Sequence, residues 1–379
     1  MLTLLHILLL LWLGVPVLYF TVFSVASAFK KPETAAPGEG SRSFVVLIPA
    51  YKSDSCILET ARAAAAQDYP EGCFRVIVIS DSMLAQTVDE LKKLPVEVLE
   101  VSFENSTKAK SLKAAMDSLG PDAADAVVIL DADNIVAPDF LKALDGAFRP
   151  GLALQAHRTA KNRDTAVAVI DAVSEEINNS IFRRGHNALG VSSALIGSGM
   201  AFDYRWFRES VSSFTTAGED KEMELKLLRD GIRVEYLDGV KVLDEKTRTQ
   251  GNYYNQRRRW TASQYHLLRS AVKGISGAKD KTGYADKLLQ WTFPPRMLIL
   301  AAVPLLAILY TVLRSGFACW WWALTALLVL SLVIAVPEEQ RDRKLLASLV
   351  KVPVLAVMSA ANLFRMKGTR DKFVHTEHN

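Results

Sequence analysis

Three observations predict an α/β fold with a mainly parallel sheet, flanked by transmembrane helices. Apolar residues concentrate at the two ends of the chain, the middle alternates short apolar runs with helix-length segments, and three of those runs close on Tyr51, Asp81 and Asp131. Of the 379 residues, 50% are hydrophobic and 23% charged, and the mean hydropathy is +0.14. That balance excludes a disordered chain, a collagen-like repeat and a small disulfide scaffold. A net charge of +4 gives a nucleic-acid partner little electrostatic support. Cys56, Cys73 and Cys319 have no metal-ligand spacing, so a reducing compartment is the simpler assignment.

The ends read as membrane segments. No Asp, Glu, Lys or Arg occurs from Met1 to Phe29, and Lys30 and Lys31 follow. About 20 apolar residues cross a bilayer as a helix, so residues 1–29 are expected to anchor the chain. Ala26-Ser27-Ala28 resembles a signal-peptidase site, but the run is too long for a signal peptide and lacks a basic start. Residues 30–42 form a Pro/Gly/Ala-rich linker. In the segment 283–336, Met297–Leu313 and Gly316–Val336 carry no charge and flank Arg314, which predicts a transmembrane hairpin. Trp320, Trp321 and Trp322 are expected at one membrane interface. In the last segment, 337–379, Leu345–Phe364 contains Lys351 and Pro353, both costly at the bilayer centre. If it crossed, Arg365, Lys367, Arg370 and Lys372 would lie opposite Lys30 and Lys31, against the positive-inside tendency. An interfacial or re-entrant helix with a cytoplasmic C-terminus is therefore expected. The same rule puts the central domain, 43–282, on the cytoplasmic face of a multi-pass inner or plasma membrane protein.

In that centre, Phe44–Pro49, Phe74–Ser80, Val96–Val101 and Ala126–Leu130 read as strands. Cys56–Gln67, Met83–Lys93, Lys108–Leu119 and Pro138–Phe148 read as helices between and after them. Strands separated by such helices imply crossovers and parallel pairing, with ligands at the strands' carboxyl ends. No GxGxxG follows the first strand and no GxxxxGK[ST] occurs, which weakens a dinucleotide dehydrogenase or a P-loop nucleotidase.

Several groups could carry chemistry. Asp131 and Asp133, two apart after the run Val127–Leu130, can project to one side and hold a hard cation on a diphosphate; solvated loops also carry this spacing. Asp81 can contact a nucleotide or simply form a turn. Lys108, after Thr107 at a helix start, suits a phosphate or is a surface lysine beside a cap. Glu219 and Asp220 open the helix Glu219–Arg229, as dipole partners or with one of them as a general base. In the helix Tyr253–Arg269, Gln256, Arg259 and Trp260 share a face suited to a sugar diphosphate, with Arg257 and Arg258 pointing elsewhere, towards lipid phosphates. A basic amphipathic helix on the membrane would show the same residues.

The order PAY, D, TKA, DAD, ED, QRRRW resembles the D, DxD, (T/E)D, Q(Q/R)xRW pattern of membrane-bound family 2 glycosyltransferases, which include cellulose-, chitin- and hyaluronan-synthase-like enzymes. The resemblance spans roughly Ser43 to Arg269. It implies a GT-A fold, a nucleotide-sugar donor (a UDP-sugar in most relatives) and inverting transfer. On this basis Tyr51, Asp81 and Lys108 would line the nucleotide, Asp131 would contact the diphosphate or its metal, and Asp133 would hold Mg²⁺ or Mn²⁺. Asp220 would be the base, while Gln256, Arg259 and Trp260 would hold diphosphate and acceptor. Ile196-Gly197-Ser198-Gly199 resembles the small-residue segment beside the acceptor, which places Gly197 and Ser198 there; it could equally be a plain turn before a strand. The implied reaction adds sugar to a lipid-linked or growing glycan acceptor at the membrane. The alternatives are a processive polysaccharide synthase working with other membrane subunits, and a catalytically silent membrane scaffold.

Overall fold

A computed structural model describes residues 2–30, 38–40, 42–216 and 218–364. The uncharged N-terminal run is one helix, α1 (Leu2–Phe29). The first four apolar runs form β1 (Phe44–Tyr51), β2 (Phe74–Asp81), β3 (Glu97–Val101) and β4 (Ala126–Ile129). The helices between them are α2 (Ile57–Ala65), α3 (Ala85–Leu91) and α4 (Lys108–Ser118). Then come β5 (Ile135–Val136), α5 (Phe140–Ala147), β6 (Leu152–Ala160) and α6 (Ala166–Asn178), which continues as a π-helix over Asn179–Gly185. A single turn, α7 (His186–Ala188), leads to β7 (Met200–Asp203), α8 (Tyr204–Ser210), α9 (Glu219–Asp230) and β8 (Arg233–Asp244). The remainder is helical: α10 (Gln250–Ala271), α11 (Lys281–Thr292), α12 (Arg296–Val312), α13 (Ala318–Ala335), α14 (Arg343–Ser348) and α15 (Val352–Phe364).

Alternation along β1 builds two cores, because successive side chains on a strand face opposite sides. Val46 and Ile48 pack with Ile57 and Ala61 of α2 and Leu144 of α5. Val45 and Leu47 pack with Leu112 and Met116 of α4 and Met223 of α9. Each fully buried aliphatic side chain contributes about 1.5–3 kcal/mol.

The sheet order is β3-β2-β1-β4-β7-β6-β8-β5. The expected mainly parallel sheet is corrected to a mixed one. Strands β3, β2, β1 and β4 are parallel neighbours, as the helical crossovers require. Strand β7, however, enters between β4 and β6 antiparallel to both, and β5 is antiparallel to β8. Neither belongs to a strand–helix–strand repeat, so the crossover rule did not apply to them. The β1–β2 register sets Tyr51 beside Asp81 at the carboxyl ends.

Among the described residues three stretches, His6–Phe29, Ala318–Ala335 and Arg343–Asn362, are long and apolar enough to cross a membrane. Helix α12, the first arm of the expected hairpin, has 17 residues and passes that test only together with α11, from which it bends by 63°. Of the three tryptophans, Trp320 and Trp322 are exposed, but Trp321 is fully buried beside His6 and Tyr310, since consecutive helical residues point about 100° apart. The expected interfacial stretch, Leu345–Phe364, is α14, a 3₁₀ turn and α15; it packs through Leu355 and Ala356 against Tyr253 of α10 and Met297 of α12. Most of the expected linker and the basic tail beyond Phe364 lie outside the described residues.

Candidate active site

The carboxyl ends of β1, β2 and β4 form one wall of a cavity of about 420 Å³. Two of these ends turn through left-handed, non-glycine residues, Lys52 (φ 50°) and Ser82 (φ 56°). Such positions cost on the order of 1–3 kcal/mol and persist where the surroundings demand them. Here they follow directly after Tyr51 and Asp81, both of which line the cavity. Asp81 is 1% exposed. Its Oδ1 accepts from Ser82 Oγ at 2.9 Å, whereas its Oδ2 is buried with no protein partner. A buried acceptor facing a cavity calls for a donor on a ligand.

Asn134 shapes the loop after β4. Its Oδ1 accepts from Asp131 N (3.1 Å), and its Nδ2 donates to Asp133 Oδ1 (3.2 Å) and Asp244 Oδ1 (3.1 Å). Asp131 and Asp133 both face the cavity. Burial, then the charges of Asp244 and Asp131, push the Asp133 carboxyl well above the usual carboxylate range. Carboxylates crowded in this way favour a cation between them. Two oxygen donors plus phosphate oxygens are a normal set for Mg²⁺ or Mn²⁺. Among the described residues no three His, Cys, Asp or Glu side chains converge as a metal site.

Lys108 begins α4 behind the Thr107 cap, whose side chain accepts from Lys110 N. Its Nζ donates to Asp131 and to Gly197 O (2.6 Å) and lies 4.0 Å from Glu219 Oε1. Burial alone would lower its ammonium, but Asp131 and Glu219 hold it above the ordinary lysine value. One lysine thus fastens the DAD loop, the small-residue segment and the start of α9. Gly197 takes φ 91°, which favours glycine, and lines the cavity. Ser198 is fully buried behind that wall, and only its carbonyl is engaged, accepting from Gln155 Nε2 at 2.9 Å.

Glu219 and Asp220 both reach the cavity. Burial pushes the Glu219 carboxyl up to about 7, Lys108 opposing and Asp220 adding to the rise. A carboxyl raised in the folded state stabilises the fold fully below its unfolded value and loses that contribution as pH rises through about 7. Glu219→Gln is therefore expected to gain in unfolding temperature relative to wild type as pH rises from 5 to 8, measured by thermal melts. A constant difference across that range would contradict the burial account.

From α10, Gln256, Arg259 and Trp260 face the cavity as the shared-face argument requires. Gln256 Oε1 is buried without a protein partner. Arg257, expected to point elsewhere, also lines the cavity. It is bonded to Asp171 and sits 4.6 Å from the Trp260 ring centre and 4.9 Å from that of Tyr253. The cavity wraps around α10, so adjacent positions both reach it. Arg258 lies over Tyr254 at 5.8 Å.

Sequence reasoning missed the floor of the cavity. Arg158 of β6 pairs with Glu175 of α6 (2.7 Å), and Lys246 bridges Glu175 to Asp244 (2.7 Å to the latter). Arg158 Nη1 also approaches Asp131 at 3.8 Å. Asp244 closes β8 much as Asp81 closes β2, a signal that was available once β8 was recognised as a strand.

Several known proteins resemble the chain. It is 29% identical over 255 residues to an N-acetylglucosaminyltransferase of Rhizobium meliloti (strain 1021), covering 61% of this chain and 58% of that one. It is 25% identical over 235 residues to the beta-monoglucosyldiacylglycerol synthase of Trichormus variabilis, covering 60% and 50% respectively. The chain therefore spans only about half of these curated relatives. Its fold is similar to that of the mannosyltransferase PcManGT from Pyrobaculum calidifontis, solved in complex with GDP-Man and Mn²⁺, with a TM-score of 0.58, 18% identity and coverage of 94% and 95%. That likeness makes the α/β fold GT-A-like. The model described as glycosyltransferase like family 2 matches residues 41–263, more than half of the chain, and the chain belongs to that family.

Proposed function

We propose that this protein is an inverting glycosyltransferase that moves a sugar from a nucleotide sugar, in the first instance a UDP-sugar, to a lipid-linked or growing glycan acceptor at the cytoplasmic membrane face. One observation carries this reading: Tyr51, Asp81, Asp131, Asp133, Asp220, Gln256, Arg259 and Trp260 converge on one cavity from five separate elements or loops. A scaffold has no need of that convergence.

The chain's own groups suggest the steps. Tyr51 and the unsatisfied Asp81 Oδ2 receive the base or ribose. Lys108 and Arg259 counter the diphosphate charge, and Trp260 offers a flat apolar surface to a sugar ring. Asp220 accepts the proton of the acceptor hydroxyl while that oxygen bonds to the anomeric carbon and the bond to the diphosphate breaks. The nucleoside diphosphate leaves, and an α-linked donor yields a β-glycoside. Asp133, with Asp131, would hold Mg²⁺ or Mn²⁺, which when bound neutralises charge on the departing diphosphate. Gly197 lies beside the acceptor; Ser198, buried behind the wall, supports that segment from below. The domain limits 43–282 and the flanking membrane segments are part of the same proposal.

Transfer of labelled N-acetylglucosamine from its UDP form is the first test, because the relative with 29% identity is named for that sugar. Label is expected in membrane-extractable product. A product one sugar larger than the acceptor supports single addition, and a high-mass product supports a processive synthase.

A further inference from the structure

Residues 191–196 reach the cavity without regular structure, yet Leu195 is buried. Buried irregular backbone must find side-chain partners for its polar groups. Here each partner comes from a different element. Arg183 Nε donates to Ala194 O (3.1 Å), Gln155 Oε1 accepts from Ile196 N (3.0 Å), and Lys108 Nζ donates to Gly197 O (2.6 Å). Leu195 N donates to Glu224 Oε1 at 2.6 Å. Leu195, Ile196 and Gly197 all line the cavity. Glu224 is 5% exposed and stands on α9, one helical turn after Asp220. Its carboxylate therefore ties that stretch of wall to the helix that carries the candidate base.

Glu224 is held in turn from α11. Lys287 is 1% exposed and places its Nζ 3.4 Å from Glu224 Oε1. Burial raises the Glu224 carboxyl, Lys287 opposes the rise and Asp220 adds to it. Two buried opposite charges satisfy each other, and removal of one strands the other. The adjacent Asp286, about 100° around the helix, joins the anchor instead. It accepts from Tyr19 Oη of α1 (2.6 Å) and Gln290 Nε2 (2.6 Å) and meets His186 Nε2 at 3.2 Å. Helix α11 then bends by 63° into α12. One helix thus carries neighbouring charges into two joints, one with the anchor and one with the helix of Asp220.

We infer that Glu224, held by Lys287, is a positioning residue for sugar transfer. It sets the wall at 195–197 against Asp220, so that acceptor hydroxyl and base meet. The inference rests on the glycosyltransferase reading for the reaction, but the clamp itself can be tested without turnover.

The full chain in neutral-detergent micelles is compared as wild type, Glu224→Leu, Lys287→Met and the double variant Glu224→Gln with Lys287→Met. Each is measured for amide exchange by peptide and for UDP binding. Transfer is followed from labelled UDP-N-acetylglucosamine, UDP-glucose or GDP-mannose, with Mn²⁺ and a membrane lipid extract. Glu224→Leu takes the acceptor from Leu195 N and strands Lys287. Exchange in the peptide covering 192–199 is expected to rise about tenfold or more, the worth of a hydrogen bond to a charged group, with β1 and β2 unchanged. Transfer at saturating donor should fall about 10²-fold, the cost of misplacing reacting groups by about an ångström, while UDP binds within about twofold. Lys287→Met should show the same changes in smaller measure. The double variant removes both charges but leaves an amide oxygen for Leu195 N. It should recover most of the lost protection and transfer, and its contrast with Lys287→Met serves if Glu224→Leu does not fold. Unchanged exchange at 192–199 in the single variants, or no recovery in the double variant, overturns the clamp. Raised exchange there with wild-type transfer overturns the positioning role. Exchange raised throughout the chain together with lost UDP binding overturns it too, leaving Glu224 only a fold-stabilising residue. If wild type consumes none of the donors while the local exchange response holds, the glycosyltransferase reading fails and the clamp stands.

Discussion

Asp220→Asn is expected to lower sugar transfer on the order of 10³-fold, the usual worth of a positioned general base, while UDP affinity stays within about twofold. The amide keeps the shape and the place at the start of α9 but cannot accept a proton. Asp220 lines the cavity from the first turn of α9. Its neighbour Glu219 is a poorer choice, because the Lys108 ammonium stands 4.0 Å from its Oε1. Initial rates and UDP titrations on the same preparation separate the two effects. Turnover near the wild-type rate in Asp220→Asn would remove the base assignment.

The second large effect is expected at Asp133. Removal of divalent ions with EDTA should stop transfer in wild type, and Mg²⁺ or Mn²⁺ should restore it. Asp133→Asn should not be restored, and in a titration with UDP present it should bind Mn²⁺ about tenfold or more weakly. The physical ground is the crowding of Asp133 by Asp244 and Asp131 in a buried place. Full transfer in EDTA, or unaltered Mn²⁺ binding by Asp133→Asn, would contradict it.

Much of this site is readable from the chain because β1, β2 and β4 are buried on both faces. Their unbroken apolar runs mark the strands, and the polar residue closing each run marks the cavity wall. Tyr51, Asp81 and the DAD loop are legible on that ground. Strand β6 is not, since Gln155, His157 and Arg158 interrupt its apolar pattern. Those side chains are buried because partners from other elements satisfy them: Glu176 takes His157 at 3.0 Å, and Glu175 takes Arg158. A polar residue whose partner is distant in sequence resembles a surface residue until the fold is known. Arg257 shows another limit: helical spacing says which residues share a face, not how far a cavity extends around the helix. Trp321 departs from the expected interfacial belt because one helical face in that run turns to the core.

The most direct measurement supplies the wild-type chain, in neutral-detergent micelles with Mn²⁺ and a membrane lipid extract, with a panel of labelled nucleotide sugars that includes UDP-N-acetylglucosamine, UDP-glucose and GDP-mannose. Release of the nucleoside diphosphate from a UDP-sugar is expected, with label appearing in the lipid or glycan fraction as a β-linked sugar. Failure of every donor to bind or to be consumed, or an α-linked product from an α-linked donor, would contradict inverting nucleotide-sugar transfer in this cavity.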